Sequence, residues 1–249
     1  MYAGQYVRTA LLTRIFIGYD HAEAIAFHTL SSSIHMKASQ PVSITPLMTN
    51  QLKGLLTRER HPLQTNAFSF SRFLVPYLSG YEGWSLFMDC DMICTTDICE
   101  LFSLKDDYYS VQVVKHCHVP EETEKYLGRP QTRYEKKNWS SVMLFNNASC
   151  EALTPEYVNA ASGLDLHQFK WLRDDGLIGE LPKEWNHLVG YDQENPHAKI
   201  VHYTIGGPYF NEYRGCEYSD EWFHERNNMQ NCEQRQTQHY SRVRYESMP

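Results

Sequence analysis

Apolar and polar positions along the chain sort into strand-like runs that alternate with helix-like ones. Leu11 to Ile17 reads as an apolar strand, broken by Gly18-Tyr19-Asp20. Ala22 to Met36 carries Ile25, Leu30 and Ile34 at helical spacing, and Val42 to Leu47, entered after Pro41, is a second short strand. A strand, a helix and a strand in this order predict a βαβ unit and a parallel sheet. Ala67 to Leu78 predicts a helix with Phe68, Phe73 and Leu74 on its apolar face, bent or ended by Pro76. Trp84 to Met88, Tyr109 to Val114, Val142 to Phe145 and Ile200 to Tyr203 predict further strands, the last running into Gly206-Gly207-Pro208. Pro155 to Ser162 and Leu166 to Leu172 predict helices. After Tyr213 the sequence turns to Glu, Gln, Asn, Arg and His, which divides the chain into a main domain at 1–213 and a polar C-terminal extension at 214–249.

Length and composition set the scale of this pattern. The 249 residues suit one large α/β domain, with ordinary globular proportions of 42% hydrophobic and 21% charged residues. A formal net charge of -7 and no long Lys/Arg run argue against a general nucleic-acid binder. An anionic nucleotide remains compatible with an acidic chain when a metal ion supplies the local positive charge. Seven cysteines at irregular spacing, with no Cys-x-x-Cys, fit a reduced compartment better than a disulfide framework. No run approaches the roughly 20 apolar residues of a membrane span, and no signal-peptide pattern is present, so a cytoplasmic location is expected.

Chemistry concentrates at Asp89-Cys90-Asp91, directly after the apolar run Trp84 to Met88. Open α/β sheets bind ligands at the carboxyl ends of their strands. Extended geometry puts Asp89 and Asp91 on one side, where two carboxylates repel unless a cation compensates. Mn²⁺ or Mg²⁺ meets that need and bridges phosphates as well. His202, after Ile200-Val201 and before the glycine turn, adds an imidazole suited to a divalent transition metal. Trp139, Trp185 and Tyr209 are candidates for stacking on a sugar, against the plainer reading of core or rim packing. Asn138-Trp139-Ser140 and Asn147-Ala148-Ser149 match glycosylation sequons but flank a predicted core strand, so they read as accidental. Lys115-His116-Cys117-His118 lacks the paired ligands of a zinc site, and Cys90, Cys94 and Cys99 read as buried thiols.

Several segments, taken in order, resemble glycosyltransferase family 8. They are Ile15 to Asp20, Ser71-Arg72-Phe73, Trp84 to Ile93, Asp97 to Phe102, Ser140 to Asn146, Asp174 to Ile178, Leu181 to Asn186, and His202-Tyr203-Thr204 with Gly206 and Pro208. The resemblance covers roughly residues 11 to 210. It implies the GT-A fold: an α/β, Rossmann-like, mixed but mostly parallel sheet flanked by helices. It also implies a nucleotide-sugar donor, usually a UDP-sugar, used with Mn²⁺ and with retention of configuration. By position, Asp89, Asp91 and His202 would bind the metal, and Asp89 would also lie near the ribose. Gly18, Tyr19 and Asp20 would border the base, and Arg72 would hold a carboxylate or the donor. The chain departs from the family pattern at three places: Trp139 stands where Asn is common, Gly207 near the position of a diphosphate-binding Lys, and Asp175 in place of a Gln beside the reacting carbon.

These assignments define an expected mechanism. A metal held by Asp89, Asp91 and His202 would stabilise the departing diphosphate, and Gly206 and Gly207 would let backbone N–H groups approach the phosphates. Asp175 or Asp174 would stabilise or attack the oxocarbenium-like carbon; in an inverting enzyme Asp175 would instead be the general base. The acceptor would be a glycan, a lipid-linked sugar, a protein or a small molecule. Two other readings stand beside this one. A sugar nucleotidyltransferase would show a Gly-rich basic first loop, which Gly18-Tyr19-Asp20 is not. A silent nucleotide- or carbohydrate-binding protein on the same fold would bind without turnover.

Overall fold

The computed structural model describes residues 12–59, 66–117, 127 and 135–231. Leu11, His118 and the end of the extension, 232–249, lie outside them. The main sheet has six strands: β1 (Thr13–Gly18), β2 (Val42–Leu47), β3 (Trp84–Met88), β5 (Val111–Val113), β6 (Val142–Asn146) and β7 (Ile178–Glu180), in the order β2-β1-β3-β6-β5-β7. β1 pairs in parallel with β2 and β3, and β5 with β7, while β6 is antiparallel to both β3 and β5. Five strands therefore share one direction. The chain leaving β1, β3, β5 and β7 and the chain entering β6 meet along one edge. A second sheet, β4 (Met92–Cys94), β9 (Ile200–His202) and β8 (His187–Leu188), adjoins that edge. Asp89-Cys90-Asp91 joins the two sheets.

Burial explains the apolar runs. Ile15, Ile17, Leu86, Phe87, Met143 and Leu144 have no exposed surface, as expected of strands covered on both faces. Helix α1 (Ala24–Lys37) packs on β4 through a polar contact, the Cys94 N–H donating to Ser33 Oγ (3.1 Å). The buried hydroxyls of Thr29 and Ser33 each donate to a carbonyl of their own helix, so a serine-rich segment is buried without losing hydrogen bonds.

Two predicted helices differ from expectation. Ala67 to Leu78 is a 3₁₀ turn at Ser71–Leu74 followed by the one-turn α2 (Val75–Leu78). Pro76 has no N–H to give Arg72, so the first piece ends and a new helix starts around the proline. Leu166 to Leu172 does not continue as a helix: α5 (Gly163–His167), which follows α3 (Cys99–Phe102) and α4 (Pro155–Ala160), ends before Phe169, whose φ is 60°. That left-handed conformation cannot propagate a right-handed helix.

The polar extension contributes α6 (Ser219–Gln230). Its Trp222 is 1% exposed and packs with Ile93, Val201 and Tyr203 in a second core. Lys37 and Glu225 form an ion pair (2.7 Å) between α1 and α6.

Candidate active site

Asp89, Asp91 and His202 offer ligand atoms that all lie within 4.8 Å of one another, and all three residues are buried. Their meeting follows from strand pairing. β3 delivers Asp89 at the sheet edge, where its N–H donates to Ser141 O (3.0 Å). β4 and β9 are antiparallel with Met92 opposite His202, and the Tyr203 N–H donates to Asp91 O (2.9 Å). Cys90, between the carboxylates, is fully buried; burial, then the charge of Glu23 and of its two neighbours, pushes its thiol pKa well up, so it stays protonated.

The imidazole orientation can be deduced from its partners. Ser141 Oγ donates to Asn138 O (2.6 Å), so the same oxygen accepts from Asn186 Nδ2 (2.9 Å). Asn186 Oδ1 then faces His202 Nδ1 (3.0 Å), which must carry the proton. In the neutral ring Nε2 holds a lone pair, and it lies 3.4 Å from Asp91 Oδ1. A lone pair facing a carboxylate needs a positive charge between them, either a proton or a cation. This donor set, two carboxylates and an imidazole fixed through its far nitrogen, fits a divalent cation. Asn186→Ala is expected to lower Mn²⁺ affinity about 10- to 100-fold, the usual cost of losing a partner that orients a ligand. Calorimetric titration of Mn²⁺ checks this; unchanged affinity would remove Asn186 from the site.

Arg72 lies beneath Asp89. Its guanidinium is 4% exposed, with Nη1 2.9 Å from Asp89 Oδ1 and 2.7 Å from Ser140 O, and it faces the Phe87 ring at 4.9 Å. Arg72 thus contacts a carboxylate, one of its two expected partners. Its charge offsets one of the paired aspartates. His167 lies nearby, Ser140 Oγ being 2.8 Å from its Nδ1. Burial first, then the charge of Arg72, lowers its pKa well below the usual histidine value, so it is neutral.

At the end of β1, Gly18 packs against Phe68 so closely that a Cβ would overlap the ring. Gly18→Ala is therefore expected to destabilise the fold by about 1–3 kcal/mol through overpacking; chemical denaturation measures it, and a neutral result would show that Phe68 yields freely. Tyr19 is half-buried with its ring edge-on to Phe27 at 5.3 Å. Asp20 is buried and accepts from the N–H groups of Ala22 (2.9 Å) and Ala67 (3.1 Å), so its carboxylate ties the following loop to the strand end. In the late turn, Cβ atoms at Gly206 and Gly207 would overlap the rings of Tyr213 and Tyr209.

Asp174 and Asp175 are exposed, just before β7. Asp174 accepts from the Gly176 N–H and so shapes its own turn. Asp175 pairs with Lys136 Nζ (2.7 Å), and this hydrogen bond first, with the charges of Lys136, Lys170 and Lys115, lowers its pKa. Three aromatic candidates separate. Trp185 is core, at 1% exposure, with Lys199 Nζ 4.8 Å from its ring centroid. Tyr209 donates to Glu23 Oε1 (2.7 Å) and packs on Trp222 at 5.4 Å. Trp139 stays half-exposed, flanked by lysines. Asn138 and Asn147 are buried, which leaves no room for a glycan on the folded chain. Cys90 and Cys94 are buried thiols as expected, whereas Cys99 is half-exposed.

Asn186, Ser141, Lys136 and Glu23 were not singled out by sequence reasoning. Asn186 and Ser141 had a signal, through the Leu181 to Asn186 and Ser140 to Asn146 segments.

No family model matches the chain. Among solved structures it is similar to the WbbM bifunctional glycosyltransferase (TM-score 0.60, 15% identity, 87% of this chain and 50% of that one). It is also similar to the glycosyltransferase GlyE of Streptococcus pneumoniae TIGR4 (TM-score 0.57, 17% identity, 86% and 60%). A third is the galactosyltransferase LgtC, solved with donor and acceptor sugar analogues (TM-score 0.54, 10% identity, 87% and 96%). The chain spans half of WbbM and three-fifths of GlyE. These likenesses establish a GT-A glycosyltransferase fold. In sequence it is 45% identical over 221 residues to Protein CDI of Arabidopsis thaliana, with 85% of each chain covered. At that identity and coverage, the chain belongs to the protein family of Arabidopsis Protein CDI.

Proposed function

We propose that this protein is a divalent-metal-dependent glycosyltransferase that moves a hexose-type sugar from a nucleotide-diphospho-sugar, with UDP as the expected nucleotide, to a hydroxyl acceptor with retention of configuration. The observation that carries the reading is the buried convergence of Asp89, Asp91 and His202 where β3 ends on a GT-A sheet. Asp89, Asp91 and His202 would hold Mn²⁺ or Mg²⁺, which when bound supplies Lewis-acid stabilisation to a departing diphosphate. Asn186 presents His202 Nε2 toward that position, and Arg72 keeps the Asp89 carboxylate in place. Gly18, Tyr19 and Asp20 border the nucleoside end. Gly206 and Gly207 offer backbone N–H groups to the phosphates. Asp175 is the better of the two candidate carboxylates for the developing positive charge on the sugar. Lys136 holds it ionised, whereas Asp174 is committed to Gly176.

A thermal-shift screen of UDP, GDP and their common sugar conjugates, with and without Mn²⁺, tests the reading. A ligand that binds only the folded state raises the melting temperature by mass action. A Mn²⁺-dependent shift with one nucleotide-sugar supports the proposal and names the donor. No shift with any nucleotide, together with a flat Mn²⁺ titration, would overturn it.

A further inference from the structure

Lysines gather around Trp139 in a way the metal centre does not require. Trp139 stands in the turn that enters β6, on the same sheet edge as Asp89. Its Nε1–H donates to His116 O (2.9 Å), which fixes the indole to the segment leaving β5. Lys115 Nζ and Lys136 Nζ lie 5.8 and 5.9 Å from its ring centroid, within cation–π reach. Lys136 also donates to Gln168 O (3.0 Å) and Asp175 Oδ1 (2.7 Å), and Lys170 is near enough for its charge to act on Asp175.

Lys115 and Lys136 thus flank one indole, Lys136 pairs with Asp175, and the charge of Lys170 reaches that carboxylate, in a chain of formal net charge -7. Composition does not explain such a gathering. Lys136 already uses the Asp175 charge, and neither Lys115 nor Lys170 has an ion pair among the described residues. Among the described acids beside Lys136 and Asp175 in sequence, Glu135 is exposed, and Asp174 is turned to the Gly176 N–H. Lys136 and Asn138 have φ of 59° and 64°, which non-glycine residues adopt rarely, so the turn that leads into Trp139 has an unusual backbone at both residues.

Position assigns the cluster a role. β1, with the expected nucleoside end, lies on one side of β3, and β6, β5 and β7 lie on the other. The metal triad sits between. We propose that the Trp139 corner is the acceptor subsite, and that the acceptor is an anionic saccharide bearing a carboxylate or a phosphate close to the hydroxyl that is glycosylated. This deepens, and rests on, the glycosyl transfer proposed above. In that transfer the acceptor oxygen bonds to the anomeric carbon as the bond from that carbon to the diphosphate oxygen breaks, and the hydroxyl proton leaves with the diphosphate.

The test is calorimetric binding of three disaccharides to the full chain with UDP and Mn²⁺ present. One ends in glucuronic acid, one in glucose 6-phosphate and one in glucose. Either acidic disaccharide is expected to bind at least about tenfold more tightly than the neutral one at low salt, the gap narrowing at high salt. The tighter of the two acids tells carboxylate from phosphate. Lys115→Gln combined with Lys170→Gln is expected to erase the preference while the nucleotide-dependent thermal shift persists; Lys115→Gln alone, expected to narrow it, serves if the double variant does not fold. Equal binding of acidic and neutral disaccharides, or a preference intact in these variants, would overturn the proposal. An acidic preference without any nucleotide shift would instead keep the anion site and sink glycosyl transfer.

Discussion

Replacing Asp91 with Asn is expected to remove Mn²⁺-dependent nucleotide binding and to lower transfer roughly a thousandfold, the effect of losing about 4 kcal/mol of charge stabilisation in the transition state. The substitution keeps the shape of a buried side chain and removes one negative charge. Its effect on the metal-free fold is expected to be small or favourable. The new amide N–H can donate to His202 Nε2 in the neutral ring, a nitrogen that lies 3.4 Å from the Asp91 carboxylate oxygen in the wild type. The two effects together identify a metal site: a melting temperature unchanged or raised without metal, and no rise when Mn²⁺ is added. A variant that melts much lower without metal would mean that Asp91 and a protonated His202 form a structural ion pair. Near-normal turnover would take Asp91 out of the site.

Arg72→Met is expected to cost about 3–5 kcal/mol of folding stability, the range for removing one partner of a buried ion pair. Methionine retains apolar contact with Phe87 and Phe68, so the loss reports on Asp89 and Ser140 O rather than on an emptied core. The electrostatic neighbourhood makes a second expectation. Without the guanidinium, Asp89 and Asp91 face each other with less compensation, and a divalent cation should recover part of the lost stability. Urea denaturation with and without Mn²⁺ measures both effects. A loss below about 1 kcal/mol, the range of an exposed pair, would show that the Arg72–Asp89 pair is not a structural support of the site.

Both predictions rest on residues whose partners differ in how far the sequence announced them. The strand before Asp89 was legible because Trp84–Met88 is apolar at all but Ser85 and is buried from Ser85 to Met88, so burial on both faces shows in the sequence. The same logic located β6, buried at four of its five positions. Short-range patterning failed where one residue overrides its neighbours. Pro76 divides a run that otherwise reads as helix, and the left-handed Phe169 stops another. Polar composition after Tyr213 marked an extension of unknown role; α6 within it packs through the buried Trp222, with Phe223 partly buried beside it, and through the Lys37–Glu225 ion pair, contacts too sparse to show in a hydrophobic pattern. At the candidate site, Asp89, Asp91 and His202 were legible from strand-end placement and resemblance. Their support was not. The chain Asn138, Ser141, Asn186, His202 is joined by side-chain hydrogen bonds that span 3, 45 and 16 positions and carry no period in the sequence. Lys136 and Asp175, 39 positions apart, meet for the same reason.

The most direct measurement is anomalous diffraction at the manganese edge from crystals of the full chain grown with Mn²⁺ and UDP. One strong peak is expected, bounded by the carboxylates of Asp89 and Asp91 and by His202 Nε2, with the diphosphate in contact with it and His202 Nδ1 still on Asn186. No peak there, or a peak elsewhere with nucleotide bound away from the triad, would contradict the proposed site.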